Sequence, residues 1–362
     1  MKSNITNLLA LLAPLTLATG AYAQGPLTPP PGAPAPVMKS LDQIEARTPL
    51  VAGQPGVAIS AAGTITISQP GSYYLTGNVT ITSAAANGIT VSSSNVTVDL
   101  NGFALICTSV DGGTGVSLVN ASNVRITNGH ILGGTTVSGS TFTLAGWYNG
   151  IISTSEQPGQ VATDIDVIGT RNHGISLSYQ GSRAERCSSF TTGGYGIHAS
   201  SISFCTARKA GSHAIFNSSD PDSSSVDSCF GETVGNSSNG INSPDGNVSN
   251  SRGTAIGGNG VTCRNAINST GVSTSSTGLL ATMASNCSGT STSGTGLFAA
   301  HANNCIGTST SGTYGLSVVT GTASFCRGTR PGGTAIHAGL AIGCTTGGGT
   351  ITASISKQLG TP

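Results

Sequence analysis

Short stretches of alternating apolar and polar residues, separated by clusters of turn-forming residues, run through most of this chain. In Gly88-Ile89-Thr90-Val91, Ile89 and Val91 fall on one side of a strand and Thr90 on the other. Ser92-Ser93-Ser94-Asn95 is a turn cluster. Val96-Thr97-Val98-Asp99-Leu100 follows as a second strand with Val96, Val98 and Leu100 on the apolar side. Asn101-Gly102 turns the chain, and Phe103-Ala104-Leu105-Ile106 begins a third strand. The plan returns at Gly115-Val116-Ser117-Leu118 with Val124-Arg125-Ile126, and at Gly150-Ile151-Ile152 with Ile165-Asp166-Val167-Ile168. Repeated units of this kind predict coils of a solenoid, each bringing its own share of core.

In the second half the strands shorten and cysteine appears at one recurring place: Cys187, Cys205, Cys229, Cys263, Cys287, Cys305, Cys326 and Cys344. Most successive gaps are roughly 20 residues, close to one coil of a solenoid. A Gly or Ala followed by an apolar residue opens most units, as in Gly196-Ile197, Gly278-Leu279 and Ala335-Ile336. A small or apolar residue usually sits three before the cysteine, as Ala184, Ile202 and Val226 do. Strict alternation would set such a pair on opposite sides, so a bend between them is expected, with both pointing inward. Ser251 stands where another coil would carry the cysteine, and the spacing around Ser251 and Cys263 is irregular. The repeat predicts roughly nine to eleven coils.

The string Gly-Ile-x-Val, Ser-x-Asn-Val-x-Val, Gly at 88–102 resembles the right-handed parallel β-helix repeat of the pectate-lyase-like superfamily, and the resemblance covers residues 60–350. It implies an all-β chain, a right-handed parallel β-helix solenoid. It leaves function open, because the superfamily includes lyases, hydrolases and adhesins. Residues 40–75 resemble the N-terminal region of uncharacterised secreted bacterial β-helix repeat proteins. Within them Ser40 and the acids that follow predict a short capping helix over 40–48, with Leu41 and Ile44 inward. With strands at 64–68 and 73–75 it forms the cap that a solenoid end requires.

Ahead of the cap, residues 1–23 read as a secretory signal: Lys2, an apolar run and Ala21-Tyr22-Ala23 before Gln24. That run is too short to cross ~30 Å of hydrocarbon, so a secreted protein without a membrane span is expected. Residues 24–39 are a Pro-rich linker, 76–356 the β-helix and 357–362 a tail.

Charged residues make up 7% of the chain, the net charge is +1, and no basic stripe is present, which argues against nucleic acid as a partner. Asp and Glu total 13, and they leave one candidate catalytic group. Asp164 and Asp166 alternate with inward Ile165 and Val167, and Arg171 and His173 follow. Glycoside cleavage needs two acids on one surface. The string Asn172-His173-Gly174-Ile175-Ser176 resembles the Gly-His-Gly-Ile-Ser motif of polygalacturonases, whose Asn-Thr-Asp and Asp-Asp motifs are absent here. Asp220 and Asp222 could hold Ca²⁺ through oxygen ligands, and no other cofactor is expected. Trp147, Tyr148 and Asn149 follow a long loop and could offer an aromatic face to a sugar.

For the cysteines two readings stand, inward free thiols or disulfides between neighbouring coils. Stacking at ~4.8 Å permits a bridge but sets the Cβ atoms parallel. Metal binding is disfavoured because no Cys-x-x-Cys pair occurs. The sparse acids favour a non-catalytic binding or structural surface protein whose partner is a polysaccharide or cell-surface glycan. The alternative is a polysaccharide lyase or glycoside hydrolase.

Overall fold

The computed structural model describes residues 47–177, 180–217 and 224–357. All regular structure among them is β, and it coils into a parallel solenoid of right-handed type with about 14 turns. Each turn lays one strand on each of three parallel sheets. On the first sheet, Ile65, Ile89, Val116 and Ile151 pair in register, and the column continues through Ile175 and Ile197 to Leu279, Leu297, Leu316 and Ile336. All of these but Ile65 are fully buried, and Ile65 is 3% exposed. On the second sheet the inward column begins Tyr73, Val98, Ile126 and dwindles to Ala284, Ala302, Ala323. Burying aliphatic side chains in such a stack contributes roughly 25 cal/mol per Å² removed from water.

The third sheet explains the recurring Gly-apolar pair. Its inward column reads Leu105, Ile131, Val167, Ser189, Ala207, Gly231, and then glycine at 253, 271, 289, 307 and 328. Across the core lies the Gly of the Gly-apolar pair. A Cβ on Gly150 would stand 2.6 Å from Val167 Cγ1, and one on Gly196 2.6 Å from Ala207 Cβ. Further along, a Cβ on Gly253 or Gly271 would overlap the carbonyl oxygen of Gly260 or Gly278. The solenoid therefore narrows from a core filled by Leu and Ile to one in which opposing backbones touch. The coils shorten with it, until Val261, Leu279 and Leu297 hold the same place in successive turns.

The bend expected before the cysteines is present. The residue preceding each thiol of this series except Cys263 lies in the left-handed region, for example Arg186 (φ 49°), Phe204 (φ 54°) and Asn286 (φ 54°), or is Gly343 (φ 60°). One such residue turns the chain so that Ala184 (0% exposed) and Cys187 (2%) both face inward. Backbone N–H groups of this corner bond to the side chain of the next turn: Cys187 to Cys205 Sγ (3.4 Å), Cys205 to Cys229 Sγ (3.4 Å), Cys229 to Ser251 Oγ (3.0 Å) and Ser251 to Ser269 Oγ (3.3 Å). All nine cysteines are free and buried.

Two expectations are corrected, and a third is left untested. Cys263 does not belong to the corner series; it lies on the first sheet between Ser243 and Ala281, and Ser269 takes the corner place. The turns exceed the nine to eleven expected, because coils built of Gly, Ser and Ala carry little apolar signal. The helix expected over 40–48 falls outside the described residues except for Arg47 and Thr48, and Thr48–Pro49 is a strand paired with Tyr73–Tyr74. Val57–Ile59 pairs antiparallel with Ile65–Ile67 and covers the edge of the first sheet. No helix among the described residues is long and apolar enough to cross a membrane.

Candidate functional site

The four candidate catalytic groups are separated by the corners of the coil. Asp164 sits at a corner with φ 55°, so it does not share a flat strand face with Asp166. Arg186, at the same corner one turn on, grips it with Nε–Oδ1 at 2.7 Å and a second contact to Oδ2 at 3.0 Å. That guanidinium holds the Asp164 carboxyl below the usual carboxylate range. Asp166 lies on the third sheet, where its carboxylate accepts from Ser188 Oγ and stands 3.2 Å from His130 Nδ1. Arg171 turns away to Asp111 (3.0 Å) and over the ring of Tyr148 (5.7 Å to the centroid). Among the described residues no hydrogen bond or ion pair joins any two of the four.

His173 occupies a corner whose job can be read from its neighbours. At the entrance to the first sheet, a side-chain acceptor in one turn takes the backbone N–H of the equivalent residue in the next. Asn87 Oδ1 serves Thr114 (2.9 Å), Asn149 Oδ1 serves His173 (3.2 Å), and Asn239 Oδ1 serves Asn259 (2.9 Å). His173 Nδ1 accepts from Tyr195 at 3.0 Å, and His213 Nδ1 accepts from Asn239 at 2.9 Å. Both imidazoles are thus neutral, with the proton on Nε2, and burial lowers the pKa of each. In this geometry the Tyr195 N–H takes up the Nδ1 lone pair of His173. Its ring stacks on Tyr195 (4.7 Å), which stacks on His213 (5.8 Å).

Trp147 is fully buried, and its indole N–H donates to Leu105 O at 3.3 Å. It ties the preceding loop to the coil and shows no ring face to solvent. That loop forms a hairpin, Thr136–Ser138 against Thr141–Thr143. Asn149 is buried as the corner acceptor just described, and Tyr148 is 50% exposed. Asp220 and Asp222 lie outside the described residues.

The outer surface of the second sheet carries a further feature, one that no sequence motif marks. A groove of about 670 Å³ runs along it, between a row formed by Asn247, Asn265, Met283 and His301 and a row formed by Ser249, Ile267, Ser285 and Asn303. Cross-turn pairing sets these residues in register, and Asn265 Nδ2 donates to Asn247 Oδ1 at 2.8 Å. The 14 lining residues include no Asp, Glu, Lys or Arg. Their signal in the sequence is period alone: positions 247, 265, 283 and 301 recur at one constant interval.

No protein-family model matches this chain, and no curated protein sequence matches it. Two solved structures are similar to it. One is the A-module of mannuronan C-5 epimerase AlgE4 from Azotobacter vinelandii, with a TM-score of 0.44 and 10% identity over 80% of this chain and 91% of that one. The other is the Dettilon tailspike protein gp208, with a TM-score of 0.27 and 14% identity over 78% of this chain and 60% of that one. No residue role is carried over from either.

Proposed function

We propose that this protein is a secreted, non-catalytic β-solenoid that binds carbohydrate along the outer face of its second sheet. The observation that carries the reading is a contrast of surfaces. Each group with acid-base chemistry at 164–173 is committed to a structural partner, whereas the groove holds amides, hydroxyls and apolar faces without a carboxylate. Amide and hydroxyl groups hydrogen-bond sugar hydroxyls, and Met283 and Ile267, 56% and 48% exposed, offer apolar area to sugar C–H faces. Glycoside cleavage requires paired carboxyls, which this groove lacks. Export rests on the signal-like residues 1–23 and predicts a mature chain beginning at Gln24.

The test is native affinity electrophoresis through gels containing neutral and anionic polysaccharides, run beside reducing-sugar and unsaturated-uronate assays on the same samples. Retardation without product formation supports the reading. Turnover that Asp164→Ala or Asp166→Ala abolishes would establish a lyase or hydrolase instead.

A further inference from the structure

Two exposed aromatic rings stand where the fold has no use for them. The corner between the second and third sheets requires a left-handed residue in every turn. From Ser228 it runs through Asn250, Asn268, Asn286 and Asn304, each with φ between 50° and 54°. Asparagine suits this place because it tolerates that region and bonds locally. Asn250 Nδ2 donates to Asp227 Oδ1 (2.9 Å), Asn268 Nδ2 to Asn250 Oδ1 (3.3 Å) and Asn304 Nδ2 to Asn286 Oδ1 (2.8 Å). Directly before and after this run stand Phe204 (φ 54°) and Phe325 (φ 53°). A bulky residue in this region is strained. Neither ring recovers that strain by burial, since Phe204 is 60% and Phe325 57% exposed.

The pair brackets the groove. The residues of its second row directly precede the corner residues, so Phe325 follows Ser324 of the lining. Phe204 and Phe325 are six turns apart, about 29 Å at ~4.8 Å per turn, and the lined stretch lies between them. An extended ligand parallel to the solenoid axis would meet an aromatic face near each end and, between them, amide and hydroxyl groups and one carboxylate, Asp227, which already accepts from Ser249 Oγ and Asn250 Nδ2. The absence of charged side chains in the lining fixes the class of ligand. A polyuronate would bring a row of carboxylates to a lining with no Lys or Arg and to the Asp227 carboxylate beside it, whereas a neutral glycan matches the lining in charge and in its alternation of hydroxyl edges and C–H faces.

We propose that Phe204 and Phe325 are stacking platforms at the two ends of a site for an extended neutral glycan. This inference rests on the carbohydrate-binding reading and narrows it to one ligand class and two anchoring residues.

The experiment uses the full chain, its Phe204→Asn, Phe325→Asn and double variants, and Phe204→Tyr with Phe325→Tyr as conservative controls. Binding is measured against glucomannan, galactomannan and hydroxyethylcellulose as neutral probes and against alginate and polygalacturonate as anionic ones, and thermal unfolding is followed in parallel. The expected result is retention on a neutral probe, weakened about tenfold by each Asn variant and kept by the Tyr variants, with a melting temperature that is unchanged or higher. A melting temperature that falls with the affinity would make the rings structural and overturn the proposal. Retention on a glycan that the double variant leaves unchanged, or retention on the anionic probes alone, overturns it while the carbohydrate-binding reading survives. Retention on no polysaccharide overturns both.

Discussion

The early and late turns of this solenoid solve one packing problem in opposite ways. Up to Val167 the third sheet fills the core with Leu105, Ile131 and Val167, and the facing glycines at 115 and 150 make room beneath them. From Gly231 on, no side chain fills the gap, and backbone meets backbone. The wide turns are stabilised by apolar burial. The narrow ones rely on in-register backbone hydrogen bonding and on side-chain acceptors at each corner. A wide coil can carry long loops, such as the hairpin at 136–143. A narrow coil has short corners, and it repeats so evenly that its outer side chains form rows. The groove on the second sheet is a product of that evenness.

The two regions should therefore fail under opposite substitutions. Gly271→Val places a side chain on the Gly278 carbonyl, and we expect a loss of more than about 4 kcal/mol or no folded protein. In the wide region enlargement is replaced by truncation as the sensitive change. Leu105→Ala, at a fully buried position, is expected to cost about 2–5 kcal/mol through the cavity it leaves. Urea unfolding of both variants checks the contrast, and equal tolerance of Gly271→Val would contradict it.

Where the two regions meet, stability should depend on pH. His198 is 3% exposed, and burial, with a smaller contribution from His173, lowers its pKa from 6.5 to about 4. His173 and His213 shift in the same direction. The unfolded chain takes up these protons below pH 6.5 and the folded chain resists them. Stability is therefore complete above pH 6.5 and is lost as pH falls towards 4, by about 3 kcal/mol for His198. Asp164 and Asp227, both held below the usual carboxylate range, titrate beneath that window. His198→Gln should flatten the urea midpoint between pH 7 and pH 4.5; an unchanged slope would show that the imidazoles do not carry it.

Smaller effects are expected at the buried thiols and at the exposed acids. No cysteine is more than 7% exposed, burial pushes the first-sheet Cys263 thiol up to about 12, and a thiol must be reached, as its thiolate, to react. Few of the nine cysteines should react with a thiol reagent in the native protein and all nine after denaturation. A shortfall after denaturation would mean disulfides between coils. Asp164→Ala exposes no core and removes a solvent-screened ion pair, so unfolding and glycan retention should both stay where they are.

The aliphatic column of the first sheet was legible because Ile89, Val98, Val116 and their successors sit at the strand period between recognisable turns. The bend before the cysteines was legible too, since two inward residues three apart require the chain to turn between them. What was hidden depends on contacts between turns. The third-sheet glycines look like loop residues until the facing Gly is placed against them. His173 resembled a catalytic motif because a corner acceptor and a catalytic histidine can stand in the same short string. The groove and the corner phenylalanines give no local signal: Phe204 and Phe325 simply precede a cysteine, and only the φ of that position makes a ring there anomalous.

Hydroxyl-radical footprinting with and without a retained neutral polysaccharide tests the central claim most directly, because Met, Phe and His side chains report their own exposure. We expect protection of Met283, His301, Phe204 and Phe325 by the bound chain, with Tyr148 and Phe190 unchanged and the polysaccharide intact. Protection centred on Tyr148 and His130, with Met283 and the two corner rings still reactive, would move the site to the Asp166 surface and contradict it.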